Sequence, residues 1–292
     1  MTSSDPTASE VPTRHTFTTA HGLDLVADRR GGDDDRHVVF LHGGGQTRHS
    51  WGGTAAAVAG RGWTSWTVDA RGHGESDWHP DGDYRLAEFA ADVAHVIAEI
   101  GARPAIIGAS LGGLASLLLL GRDAPGAASG LVLVDIVPNM EKKGADRIAE
   151  FMMANAESGF ASLEEAADAV AAYNHHRERP PSIEGLRKNL RERDGRWYWH
   201  WDPKFISPVA ERGPSEINDP SLLMDCSKAI AEPIMLVRGR MSDVVSPEGA
   251  AAFVDEVPTA EFVDVSEAGH MVAGDRNDAF TDAVVGFLDG LG

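Results

Sequence analysis

Short β-branched runs alternate with helix-spaced runs along most of this chain, and few architectures accept that rhythm. Residues 37–41 (HVVFL), 63–68, 104–109 and 131–134 each read as a short buried strand. Between them, residues 84–100 carry Leu86, Phe89, Val93, Val96 and Ile97 at helical spacing, and 111–120 form an apolar helix. Strands joined through helices run parallel and are covered on both faces. The pattern therefore predicts an α/β fold with a mostly parallel, doubly wound sheet. Ahead of it, apolar stretches around Ala20-His21-Gly22 predict a β-hairpin from His15 to about Ala27. The rhythm stops after Pro138, in Ala- and Glu-rich helical segments with no convincing strand. It resumes with a strand at 233–237, a helix at 247–254, a strand at 260–265 and a helix at 276–288. The expected organisation is a loose tail at 1–14, a core of 15–138 and 232–292, and an inserted helical cap at 139–231.

Composition narrows the partners. The 292 residues carry 26 Lys and Arg against 45 Asp and Glu, a net charge of −19. A surface that acidic repels phosphate backbones, so a nucleic-acid partner is not expected. No apolar run approaches the roughly 18 residues of a membrane span, and residues 1–14 are polar with no secretory h-region. A cytoplasmic protein is the expectation. The one cysteine, Cys226, excludes an internal disulfide and a multi-cysteine zinc site.

The chemistry gathers at strand ends. Gly108-Ala109-Ser110-Leu111-Gly112 fits G-x-S-x-G, with strand-like Ile106-Ile107 before it and helix-like 114–120 after it. A chain turning that sharply strains Ser110, and a Cβ at Gly108 or Gly112 collides with neighbouring backbone. Ser110 then stands at a helix N-terminus, where the dipole favours developing negative charge. A serine nucleophile needs a base, and the base needs a partner that fixes its tautomer. His270, in Glu267-Ala268-Gly269-His270, follows the last strand and arrives at the carboxyl edge that holds Ser110. Two carboxylates compete for the third place. Asp243 lies on the longer loop after strand 233–237, and Asp135 ends strand 131–134. Asp243 is favoured because its loop reaches further; Asp135 is expected to be structural, at the hinge of the cap. His42-Gly43-Gly44-Gly45 can bring bare N–H groups to a substrate oxygen, and the N–H of Leu111 is the second donor an oxyanion hole requires.

These features together resemble the α/β-hydrolase superfamily, from His15 to the C-terminus. His42-Gly43-Gly44-Gly45-Gln46 followed by Ser50-Trp51, the run from Asp69 to Ser76 (DARGHGES), and Gly269-His270-Met271-Val272 are similar to its epoxide-hydrolase and cofactor-free haloperoxidase branch. The resemblance implies that Gly44 supplies the first oxyanion N–H and that Asp243 and His270 complete a triad with Ser110. It also implies that Asp69–Ser76 is a structural turn and that His42 packs beside the oxyanion loop. Epoxide hydrolases use an aspartate nucleophile where this chain has Ser110, so the expected intermediate is an acyl-enzyme.

Within the insertion, Arg196-Trp197-Tyr198-Trp199-His200-Trp201-Asp202 holds three of the seven tryptophans. If extended, it puts Trp197, Trp199 and Trp201 on one face. They serve equally well as an aromatic wall or as the core of a small cap. The expected pocket is Gly45, Trp197, Trp199, Trp201 and Met271, suited to a small apolar or aromatic ester or lactone. No metal-ligand spacing stands out, and no cofactor is expected. The expected activity is metal-free serine hydrolysis of an ester or lactone. Carbon–carbon hydrolysis, perhydrolysis on the same triad and non-catalytic ligand capture are the alternatives.

Overall fold

The computed structural model describes residues 11–32, 35–173, 183–206, 216–270, 272 and 277–291. An antiparallel hairpin, β1 (Thr13–Thr18) and β2 (Asp24–Arg30), precedes β3 (His37–Leu41), α1 (Gly52–Ala59), β4 (Thr64–Val68), α2 (Leu86–Ile100) and β5 (Ala105–Ala109). Then follow α3 (Leu111–Leu118) and β6 (Gly130–Val134). After the insertion come β9 (Ile234–Gly239), α7 (Pro247–Glu256), β10 (Ala260–Val265) and α8 (Asn277–Gly290). The eight strands form one sheet in the order β1-β2-β4-β3-β5-β6-β9-β10, parallel from β4 to β10.

Both faces are covered, which explains why the central strands β5 and β6 carry no polar side chain at any position. Val38, Phe40, Ile107 and Val132 pack on one face against Phe280 and Val284 of α8 and Ala55 of α1. Val39, Ile106, Leu131 and Leu236 pack on the other against α2, α3 and α7. Helix α2 presents the stripe Leu86, Phe89, Val93, Val96 and Ile97 and ends on Gly101 at φ 72°, a left-handed cap that glycine adopts without a Cβ clash. Helix α1 escaped the sequence reading because GGTAAAVA has almost no apolar periodicity.

The insertion departs from expectation in two ways. It contains α4 (Lys142–Met153) and α5 (Leu163–Tyr173), but also a strand pair, β7 (Leu190–Arg193) and β8 (Arg196–Trp199). The tryptophan-rich run is thus half of a hairpin turned at Asp194 and Gly195, both at positive φ. The last helix, α6 (Pro220–Ala229), packs with the sheet instead: Leu223 and Cys226 are buried in the core against α3. The inserted segments, called the cap for their place in the chain, share a small core of Met152, Phe160, Leu163, Leu190, Trp199 and Trp201.

Candidate active site

Ser110 occupies the turn from β5 into α3 with φ 44° and ψ −112°, a conformation costly for any L-residue and held by its surroundings. A Cβ on Gly108 would lie 2.6 Å from the Gly113 nitrogen, and one on Gly112 would lie 2.6 Å from the Leu41 Cβ and carbonyl oxygen. The two glycines are therefore what lets β3, β5 and α3 converge beneath the serine. Leu111 begins α3, so its N–H has no acceptor within the helix and points to the same end as Ser110.

His270 follows β10, and its Nδ1–H donates to Asp135 Oδ2 at 2.8 Å. That bond fixes the tautomer and leaves the Nε2 lone pair for a proton acceptor's role. Asp135 is fully buried at the tip of β6 with φ 50°. Its Oδ1 accepts the Gly239 N–H at 3.0 Å, and its Oδ2 also accepts the Ser242 hydroxyl at 2.5 Å. The expectation that Asp243 meets the histidine is corrected here. Asp243 turns outward and pairs with Arg147 of α4 at 2.9 Å. The loop after β9 is anchored by Met241 N–H on the Ala268 carbonyl; in it Ser242 faces Asp135, and its neighbour Asp243 faces the cap.

The glycine loop after β3 is braced from two sides. His42 Nδ1 donates to the Gly43 carbonyl at 2.8 Å, and its Nε2 accepts the Ala70 N–H at 3.0 Å, so His42 packs beside the loop as expected. His200, from the cap, accepts the Gly74 N–H at 2.7 Å and reaches the Gly45 carbonyl with its other nitrogen at 3.3 Å. His73 lies between them, with ring centroids 5.3 Å from His42 and 5.8 Å from His200. Burial holds all three histidines below the usual imidazole range, His73 down to about 3. The turn from Asp69 to Ser76 is tied to the core by Asp69, which accepts the Arg48 N–H at 2.7 Å and the Glu75 N–H at 3.0 Å.

Ser110, Leu111, Gly44, Gly45 and His270 open onto one cavity of about 450 Å³ between core and cap. Its walls are chiefly apolar, with Leu86, Leu114, Met140, Ile148, Trp199 and Trp201 among them. Phe205 lies 3.3 Å from where a Cβ on Gly44 would stand, and Met152 is 3.2 Å from the equivalent point on Gly45. Tyr84 adds a hydroxyl at the wall, but it donates to Asp202 at 2.7 Å, and burial beside that carboxylate raises its pKa. Trp199 and Trp201 stack at 4.7 Å and line the cavity. Trp197 does not; its backbone pairs with Phe160 and its ring lies under Arg187. Met271 lies outside the described residues. Phe205 and Met152 were invisible to sequence reasoning, since nothing in their spacing marks them as a roof. Among the described residues no three His, Cys, Asp or Glu side chains are grouped to hold a metal ion, and no helix is long and apolar enough to cross a membrane.

The sequence model of the alpha/beta hydrolase fold matches residues 36–276. The chain belongs to the α/β-hydrolase family. It is 32% identical over 272 residues to the esterase Rv0045c of Mycobacterium tuberculosis, covering 91% of this chain and 86% of that one. A solved structure of the same esterase superposes with a TM-score of 0.74, covering 96% of this hydrolase and 92% of that chain. A 3-hydroxybutyrate-oligomer hydrolase of Cupriavidus necator is 26% identical, covering 85% and 88%. The structure of E-2-(acetamidomethylene)succinate hydrolase agrees in fold, with a TM-score of 0.82 at 20% identity over 95% and 99% of the two chains.

Proposed function

We propose that this α/β hydrolase cleaves neutral, apolar carboxylic esters, lactones included, through an acyl-enzyme on Ser110. One observation carries the reading: a strained serine at a helix N-terminus and a histidine oriented by a buried aspartate line the same apolar cavity. Ser110 Oγ attacks the carbonyl carbon while His270 Nε2 takes its proton. The Gly44 and Leu111 N–H groups stabilise the oxyanion, whose collapse expels the alcohol as His270 returns the proton. Water, deprotonated by His270, then attacks the acyl carbon, and the acid leaves as Ser110 is re-protonated. The reaction as written uses no cofactor. The chiefly apolar walls and the volume of about 450 Å³ suit an uncharged substrate of moderate size. The 32% identity to an esterase supports the same reading.

Turnover of p-nitrophenyl esters of increasing acyl length, with fluorophosphonate labelling mapped by peptide mass spectrometry, tests it. Label on Ser110 and loss of at least three orders of magnitude in kcat for Ser110→Ala at unchanged fold are expected. A Ser110→Ala variant keeping more than a tenth of the activity overturns the mechanism.

A further inference from the structure

We propose that Ser242 is a positioning residue of the hydrolytic site, whose hydroxyl clamps the Asp135 carboxylate in the orientation that holds His270. The inference rests on the serine-hydrolase reading for its consequence in rate, though the clamp itself can be observed without turnover. A serine hydroxyl has one proton to give and two lone pairs to fill. Both lone pairs of Ser242 are engaged, by the Val244 and Val245 N–H groups at 3.1 Å each. Its single proton is thereby committed to Asp135 Oδ2 at 2.5 Å, a short bond of the kind a carboxylate acceptor produces.

Asp135 Oδ2 receives this proton and that of His270 Nδ1, while Oδ1 receives the Gly239 N–H. Gly239 ends β9 and Ser242 lies three residues on, in the loop that follows, so this one segment grips the carboxylate at both oxygens. Turning it away from His270 would break a bond at each end. Asp135 itself stands at positive φ and is fully buried. Without the hydroxyl, Oδ2 keeps His270 as its one donor, the loop holds the carboxylate at Oδ1 alone, and the carboxylate can swing about that bond so that the imidazole loses its fixed azimuth. Ser242 does not line the cavity, so its removal acts on the chemical step and not on substrate binding.

The experiment compares wild type, Ser242→Ala and Ser242→Thr in steady-state hydrolysis of p-nitrophenyl butyrate, in the rate of Ser110 phosphonylation, and in the downfield proton NMR resonance of His270 Nδ1–H. A loss of about tenfold to a hundredfold in kcat is expected for Ser242→Ala. KM should stay within twofold, phosphonylation should slow in step with kcat, and the downfield proton should move; Ser242→Thr should restore all three. Should Ser242→Ala not fold, Ser242→Cys, a similar shape with a weaker donor, takes its place. A folded variant with kcat within fivefold of wild type overturns the proposal. If wild type neither turns over esters nor takes label on Ser110, the hydrolase reading fails instead. The proton resonance then decides the clamp alone, and an unmoved resonance overturns it.

Discussion

Replacing Asp135 by Asn removes one charge and one acceptor from a carboxylate that receives three donors, and the outcome follows from counting them. The amide oxygen can keep either the Gly239 N–H or the pair on Oδ2. If it keeps Gly239, the amide NH₂ confronts His270 Nδ1, which must then give up its proton and present Nε2–H to Ser110. An imidazole in that tautomer cannot accept the serine proton, and by analogy with serine proteases kcat should fall by about 10⁴. The lost charge-assisted bonds to a fully buried group should also lower stability by about 1.5–3 kcal/mol. Asp243→Asn breaks one ion pair to Arg147 whose two side chains are each 36% exposed, so less than about 1 kcal/mol is expected, with kcat within a few-fold of wild type. Ester turnover and thermal melts on both variants make the comparison. Asp135→Asn retaining a tenth of wild-type kcat, or Asp243→Asn losing a thousandfold, would refute the assignment.

Acid should unfold the protein through its buried histidines. His42, His73 and His200 are neutral in the native state with lowered pKa, while in the unfolded chain they take up protons below about 6.5. The unfolded state thus binds more protons between about 6.5 and, for His73, about 3. Stability should fall as pH drops through that window, by up to about 1.4 kcal/mol per unit for each fully buried ring; denaturant midpoints between pH 7 and 4.5 measure it, and a flat profile contradicts it. Gly112→Ala puts a Cβ 2.6 Å from Leu41. It should cost about 1–3 kcal/mol and depress kcat by displacing Ser110, against the null result of unchanged melting and unchanged rate.

The chain's local chemistry was legible without coordinates because it depends on neighbours in sequence. An apolar run followed by G-x-S-x-G and a helical stripe can only turn sharply, and the collisions found at Gly108 and Gly112 are consequences of that turn. The strand rhythm likewise follows from burial on both faces, and His270 follows from being the one histidine just after the last strand. What tertiary structure decided was the contact of side chains far apart in the chain. Asp135 and His270 are 135 positions apart, and they meet because β6 lies beside β9, which lies beside β10. The loop after β9 settles the choice by a single residue: Ser242 turns inward to the carboxylate, and Asp243 outward to Arg147. Reach along a loop, the basis for preferring Asp243, says nothing of that direction, which backbone bonds to Ala268 and around Ser242 impose. In the cap the same limit applied. Period-two alternation groups Trp197, Trp199 and Trp201, but only Trp199 and the residue beyond the strand end, Trp201, line the cavity. Which aromatic rings reach the cavity is then fixed by how the insertion packs on the glycine loop after β3, a packing of many distant surfaces that no spacing encodes.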